Sequence, residues 1–393
     1  MPVLNELQRA LREGRSIAEL RALTPAVHDL ATDEAQAAFV DAIVYDPITA
    51  RFPPNPCLRF RLLSAVSAAL VDAGHAVDER LLEALGAAAA LARPGGGGAQ
   101  APLCWRTFEV SDGMHVATRT QATWGGESET GLDVWGAGQT FARWLAQRGM
   151  DATYDGSAAN NALIFPRERP CNVVELGSGT GVAGIALALV AAQRTECAVR
   201  VACTDMAGVV PNLRFNIEAN GFAAASDGGA SRSANDSCVG VRLDWEEVAE
   251  SAASVDAAAT WGAELPFDAA DVDVVIGSDL VYNPELHHPL LAVITRLLCP
   301  SDAARTRARH PVFLMMSAVR SRATRRHFVA SLAEFPLTCR TLWSHSTAAA
   351  AASQLDSGVG GVAPFAARAE EVRGCVDMDL LLIERSTSPI DIR

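Results

Sequence analysis

The sequence predicts an α/β chain: a mostly parallel sheet of seven strands covered by helices on both faces, preceded by a helical N-terminal region. Three observations predict it. From Asn172 onward, short apolar runs alternate with helix-length stretches, the pattern of strands joined by crossover helices. The stretch "VVELGSGTGVAGIALAL" (173–189) ends an apolar run in an acid, places glycines at every second position and then opens an apolar helix. The first ninety residues instead space their apolar side chains three and four apart.

The elements follow in order. "NELQRALREG", "DEAQAAFVDAIV", "LRFRLLSAVSAALVDAG" and "DERLLEALGAAAALA" read as helices, with Asp78 as a cap for the last. Prolines in "DPITARFPPNPC" interrupt the series, and the glycine-rich "RPGGGGAQAP" ends it. This divides the chain into a helical region at 1–93, a linker at 94–101 and an α/β domain at 102–393. "WRTFEV" and "MHVATRTQA" read as short strands, and "GLDVWGAGQTFARWLAQRG" as a loop followed by a helix. The seven sheet strands are "NVVEL", "RVACTD", "VGVRLDW", "VDVVIGSD", "PVFLMMSAV", "TCRTLW" and "CVDMDLLLIER", with helices at 182–191, 209–220, 289–298 and 322–334. No helix separates the last two strands, so they are expected to pair as an antiparallel hairpin. Low-complexity insertions are expected at about 223–238 and 346–362.

Composition narrows the function classes. Apolar residues are 49% of the 393, enough for a sizeable core, and the net charge of −13 argues against stable nucleic-acid binding or an anionic membrane surface. No apolar run reaches membrane-spanning length. Nine cysteines without a paired spacing and eight histidines without a ligand pattern point to a reduced, cytoplasmic setting and to no metal. The start of the chain is an amphipathic helix pattern rather than a signal peptide, and the sequon at Asn235 is chance in that setting. All 33 basic residues are arginine, so no lysine here serves as a catalytic amine.

The glycine loop carries the chemistry. A ligand at the carboxyl end of a parallel strand approaches bare backbone, which explains Gly177, Gly179 and Gly181. The dinucleotide spacing GxGxxG fails, because Val182 stands where its third glycine belongs. Glu175, ending the strand, would repel a phosphate and suit a cation. A positively charged ligand without phosphate follows, and S-adenosylmethionine fits. Asp205 ends the second strand, where an acid accepts ribose hydroxyl protons. Asp244 can accept from an adenine amino group, and Trp245 offers a ring to the base. Plainer readings stand beside these: Gly181 and Gly184 for helix packing, Trp245 in the core, Asp205 as a helix cap.

The fourth strand ends "SDLVY", with Ser278, Asp279 and Tyr282. Together with "GLDVWGAG", "ELGSGTG", "TD" and "LDW", this resembles the seven-strand protein-lysine methyltransferases, on a Rossmann-like class I methyltransferase sheet. "VYDPITARFPPNPCLRFRLLSAV" and "MMSAVRSRATRRHFVASL" are similar to the elongation factor 2 lysine methyltransferase branch. The resemblance implies an S-adenosylmethionine-dependent enzyme with a protein substrate, elongation factor 2. By position it implies that Trp135 lies against the cofactor, Gly177, Ser178 and Gly179 cradle its amino-acid part, Asp205 holds the ribose, Trp245 covers the adenine and Ser278 touches the cofactor. Asp279 and Tyr282 are the catalytic candidates, facing the incoming lysine. Asp279 capping the next helix, Tyr282 packing and Trp135 as a core ring are the alternatives. A small-molecule or RNA methyltransferase, or an inactive partner-binding relative, are the competing functions. The runs "RTRARH" (305–310) and "RSRATRR" (320–326) are either solvated faces or a docking surface for an acidic or ribosome-associated partner.

Overall fold

The computed structural model describes residues 2–92, 103–121, 131–151, 153–155, 161–166, 169–194, 198–222, 238–251, 264–300, 310–345 and 377–386. The linker expected at 94–101 and the insertion at 346–362 lie outside them, as does the insertion at 223–238 apart from Cys238. Two compact units form: residues 1–109 with 115–133, and residues 110–114 with 134–393.

The first unit is built on helices α1 (Pro2–Arg12), α2 (Ile17–Leu23), α3 (Asp33–Val40), α4 (Pro47–Arg51), α5 (Pro56–Asp72) and α6 (Glu79–Leu91). Side-chain caps start most of them. Ser16 and Glu19 form a reciprocal capping box, Asn55 accepts the Cys57 amide at 2.9 Å, and Asp78 accepts that of Arg80. Leu7, Leu20, Phe39, Ile43, Leu62 and Leu81 meet in one buried cluster, as their helical spacing requires. The proline-bearing segment read as a break holds α4 instead. Pro47 occupies the first turn, where its missing N–H has no partner to lose, and Asp46 caps the turn by accepting the Thr49 amide at 2.7 Å. Strands β1 (Leu103–Ser111) and β2 (Met114–Gln121) pair as a two-stranded sheet. Within this unit Arg106 donates to the Glu13 carbonyl and pairs with Asp133, each at 2.8 Å.

The second unit opens with α7 (Gly136–Gln147) and the short pair β3 (Thr153–Asp155) and β4 (Asn161–Leu163). Its main sheet follows in chain order: β5 (Cys171–Leu176), α8 (Val182–Ala192), β6 (Val199–Asp205), α9 (Val210–Ala219), β7 (Cys238–Arg242), α10 (Trp245–Ser251), β8 (Val274–Ser278), α11 (His287–Leu298), β9 (Val312–Val319), α12 (Arg322–Ser331), β10 (Leu337–His345) and β11 (Asp377–Arg385). The spatial order is β10-β11-β9-β8-β5-β6-β7. β11 pairs antiparallel with both β9 and β10, and the other pairings are parallel. The seven expected strands, with the closing hairpin, are therefore present.

Every residue of β5 is buried, as expected of a parallel strand covered on both faces. Alternation along the neighbouring strands divides the helices. Gly240 faces Leu213 and Arg214 of α9, and Cys203 faces Gly184 of α8. Their neighbours Val241 and Ala202 enter the opposite cluster with Val248, Leu291, Ile294 and Phe328 of α10 to α12. The all-apolar α8 is thus a buried helix rather than a surface one.

Candidate functional site

The site gathers at the carboxyl ends of β5, β6, β7 and β8, where β5 has β6 on one side and β8 on the other. A loop leaving β5 here turns one way and the loop leaving β8 the other, which opens a crevice.

The glycine loop is shaped by backbone that a side chain would spoil. Gly177, Gly179 and Gly181 have φ of 56°, 55° and 84°. A Cβ at Gly177 would come within 2.7 Å of Leu280 and 3.1 Å of the Trp245 ring. The loop is pinned from below. The Ser178 amide donates to the Thr204 carbonyl at 2.9 Å, Thr204 Oγ1 to the Glu175 carbonyl at 2.7 Å, and Asn216 Nδ2 to the Thr180 carbonyl at 3.0 Å.

Glu175 stands elsewhere than its sequence reading suggested. It is 1% exposed, beneath the loop rather than at its mouth, and accepts the Gly184 amide at 3.2 Å. Burial pushes its carboxyl up to about 7, against the opposing hydrogen bonds of Ser178, Cys203 and Gly184. Gly184 is a packing position, because a Cβ there would lie 2.4 Å from Cys203 Sγ and 2.5 Å from Glu175 Oε2. Gly181 is another, facing Leu213 at 2.6 Å.

Asp205 ends β6 against the loop. Its Oδ2 accepts the Gly179 amide at 2.7 Å and its Oδ1 the Met206 amide at 2.8 Å, and burial raises its pKa. It caps no helix, since α9 begins after Val209 without a side-chain cap. Asp244 accepts the Glu246 amide at 3.1 Å and so caps α10, which starts at Trp245. The Trp245 ring lies 3.1 Å from where a Gly177 Cβ would stand and also packs against the buried cluster.

On the β8 side, Ser278 Oγ lies 3.3 Å from where a Gly138 Cβ would stand, which brings the first turn of α7 to the crevice. Asp279 has φ of 60°, among the described residues the one non-glycine in that region. Its Oδ1 accepts the Ala318 amide at 3.1 Å and its Oδ2 the Arg320 guanidinium at 2.5 Å. It does not cap the helix that follows. Trp135 is 45% exposed rather than a core ring, and Arg320 lies over its face at 5.0 Å. Tyr282 is 48% exposed, with its phenol pKa raised by burial and by the charge of Asp205. The crevice therefore brings together Gly177, Ser178, Gly179, Asp205, Trp245, Ser278 and Tyr282. Trp135 and Asp279 join through Arg320, Glu175 braces the loop from beneath, and Asp244 caps α10 beside Trp245.

Sequence reasoning missed Asn216 and Arg320. Asn216 had a signal: it falls on the buried stripe of α9 between Leu213 and Ile217, where a polar residue needs a partner. Arg320 was visible only as part of an arginine run. Among the described residues, no group of three or more potential ligands forms a metal site, and no helix is long and apolar enough to cross a membrane.

The residues fit S-adenosylmethionine. The loop holds Gly177, Gly179 and Gly181 at positive φ that bare backbone adopts readily, an acid lies at the second strand end, and the Trp245 ring packs against the loop. Known proteins agree. Residues 119–335 match the family model described as lysine methyltransferase. The mouse protein-lysine N-methyltransferase EEF2KMT is 26% identical over 58% of this chain and 56% of its own length. Ribosomal lysine N-methyltransferase 5 of Zygosaccharomyces rouxii is 36% identical over 24% of this chain and 28% of its own. The Eremothecium gossypii protein of the same name is 30% identical over 49% of this chain and 63% of its own. The chain thus spans less than two thirds of the length of these relatives. Because the family match takes in more than half of the chain, and the sheet and glycine crevice agree with it, the chain belongs to the lysine methyltransferase family, enzymes that use S-adenosylmethionine.

Proposed function

We propose that this chain methylates the ε-amine of a lysine in a protein, and that the protein is translation elongation factor 2. The observation that carries the reading is the crevice itself, with bare glycine backbone and Asp205 on one wall and the Ser278–Tyr282 turn on the other. The choice of elongation factor 2 is supported by the proline-bearing N-terminal segment and the strand-helix run after Pro311. It is also supported by the mouse EEF2KMT match, which covers more of this chain than the ribosomal lysine methyltransferase matches do.

When bound, S-adenosylmethionine supplies a methyl group on a sulfonium sulfur, open to in-line displacement. The chain's own residues bind and orient. Gly177 to Gly179 admit the cofactor to the backbone, Asp205 accepts from the ribose, and Trp245 shields the crevice from water. The acceptor attacks through its lone pair, so the lysine first loses its proton to water. At pH 7.4 that deprotonation costs roughly 4 kcal/mol for an ordinary lysine. Tyr282, half-exposed at the same edge, lines the approach and offers its hydroxyl to the amine. Asp279 orients the turn that receives the lysine head.

The test is transfer from labelled S-adenosylmethionine by the purified full chain, with purified elongation factor 2 and with ribosomes as separate acceptors. Label on elongation factor 2, lost when its lysines are blocked, is the expected result. Label confined to a ribosomal protein would replace the substrate, and label on neither would overturn the reading.

A further inference from the structure

The Asp279 carboxylate poses a chemical difficulty. A carboxylate beside the acceptor stabilises the ammonium form and raises the amine's pKa by about one to three. Each such step removes roughly tenfold of the neutral amine that attacks. A lysine methyltransferase with a bare acid at this edge would oppose its own reaction.

The structure contains the counterweight. Arg320 follows the last residue of β9 and reaches back across the end of β8. Its Nη2 donates to Asp279 Oδ2 at 2.5 Å, while its Cζ lies 5.0 Å from the centroid of the half-exposed Trp135 ring. The other carboxylate oxygen is taken by the Ala318 amide. The Asp279 side chain is 8% exposed and that of Arg320 43%. What the edge presents outward is therefore a guanidinium stacked on an indole, with the acid paired behind it. Other charged and titratable groups on the packed elements are Asp205 at the end of β6, Tyr282 on the same turn, buried Glu175 below, Arg322 at the start of α12, and Asp377 and Asp379 at the start of β11. Asp379 is itself paired with Arg325 at 3.4 Å.

We propose that Arg320 is a positioning residue for methyl transfer: held between Asp279 and Trp135, it cancels the carboxylate's charge so that the acceptor lysine stands at this edge as a neutral amine. The proposal rests on the lysine-methylating reading above. It also gives the left-handed Asp279 a purpose, since that backbone conformation turns the carboxylate toward Ala318 and Arg320 rather than onto the next helix.

The experiment uses the full chain with elongation factor 2 as acceptor, and compares wild type, Arg320→Lys and Arg320→Met from pH 7 to pH 10. With cofactor and acceptor saturating, Arg320→Met should lose about tenfold to a hundredfold in kcat at pH 7.4 and recover most of it by pH 10, with the alkaline rise of kcat displaced upward by about one or more. Arg320→Lys, which keeps the charge, should retain the wild-type pH profile. A loss of the same size at every pH, or equal pH profiles for the lysine and methionine variants, overturns the proposal. A second measurement needs no acceptor: melting temperatures of Arg320→Met, Asp279→Asn and the double variant. Asparagine keeps tolerance for the left-handed backbone, so the double variant should lose clearly less than the two singles added; strict additivity overturns the proposal. If the wild type labels neither elongation factor 2 nor ribosomes, the functional reading fails and this one with it. Labelling by the wild type with a pH-independent Arg320→Met defect sinks this one alone.

Discussion

The carboxylate of Glu175 and the amide of Gly184 meet at 3.2 Å in a space where a side chain at 184 has no room. The acid that precedes the glycine loop is thus a buried brace between β5 and the first turn of α8. Its folded pKa of about 7, against an ordinary 4.5, makes it a liability as pH rises. Below pH 4.5 the carboxyl is protonated whether or not the chain is folded. Between 4.5 and 7 the unfolded chain ionises while the folded one holds its proton, so stability falls through this window. The total is about 3 kcal/mol. Glu175→Gln has no such titration and keeps an acceptor for the Gly184 amide. In urea denaturation the stability of Glu175→Gln relative to wild type should grow by about 2–3 kcal/mol from pH 5 to pH 8. A pH-independent difference would show that the carboxyl ionises normally.

Gly184→Ala tests the same brace from the helix side. The new methyl would stand 2.4 Å from Cys203 Sγ and 2.5 Å from Glu175 Oε2, both in fully packed surroundings. Overpacking of this kind destabilises by about 1–3 kcal/mol. Adding Cys203→Ala should return part of the loss, because the sulfur is one of the two obstructions. If the single variant melts with the wild type, α8 is free to shift and the packing argument fails.

Asn216 holds the far side of the loop through the Thr180 carbonyl, at 0% exposure. Asn216→Ala leaves that buried carbonyl unpaired and should cost about 1–3 kcal/mol in denaturant unfolding. Because the loop loses its tether, S-adenosylmethionine affinity measured by calorimetry should fall as well. A stability loss with unchanged affinity would separate the loop's shape from its anchoring.

The seven strands and the glycine loop were legible because both rest on local pattern. Parallel strands buried on both faces read as unbroken apolar runs, and glycines demanded by φ cannot be replaced quietly. The hairpin of β10 and β11 was legible from the missing crossover helix. What was not legible depends on pairings across long sequence separations. Arg320 lies 41 residues from Asp279 in sequence, and only the placing of β9 beside β8 brings them together. Glu175 read as a cation partner because alternation at a strand end does not say whether a side chain turns outward or under the loop. The α4 helix was hidden because proline was read as a breaker, although at a first helical turn it is tolerated.

Asp205 accepts hydrogen bonds from the backbone amides of Gly179 in the loop and of Met206. The carboxylate therefore shapes the loop, and under the proposed function it also accepts from a ribose. Asp205→Ala should weaken S-adenosylmethionine binding by about a hundredfold, the loss of roughly two hydrogen bonds to a charged acceptor. Asp205→Asn keeps an oxygen for the Gly179 amide and should lose less. Calorimetric titration of the three proteins checks the order, and equal affinities for all three would remove Asp205 from the cofactor site.

Gly177→Ala separates backbone conformation from space. An alanine there meets a φ of 56°, which costs about 1 kcal/mol for a residue with a Cβ. It also meets Leu280 at 2.7 Å and the Trp245 ring at 3.1 Å. Leu280 is buried and the Trp245 ring packs on the same cluster, so relief comes largely by displacing the glycine loop itself. The variant should therefore lose S-adenosylmethionine affinity by about tenfold or more, well beyond what its change in melting temperature implies. Gly177→Ala with Leu280→Ala removes the closer obstruction but not the backbone term. If space is what the glycine provides, the pair recovers affinity while remaining less stable than wild type; if conformation is what it provides, the pair binds no better than Gly177→Ala alone. A Gly177→Ala protein that binds as wild type would mean that the loop is not where the cofactor lies.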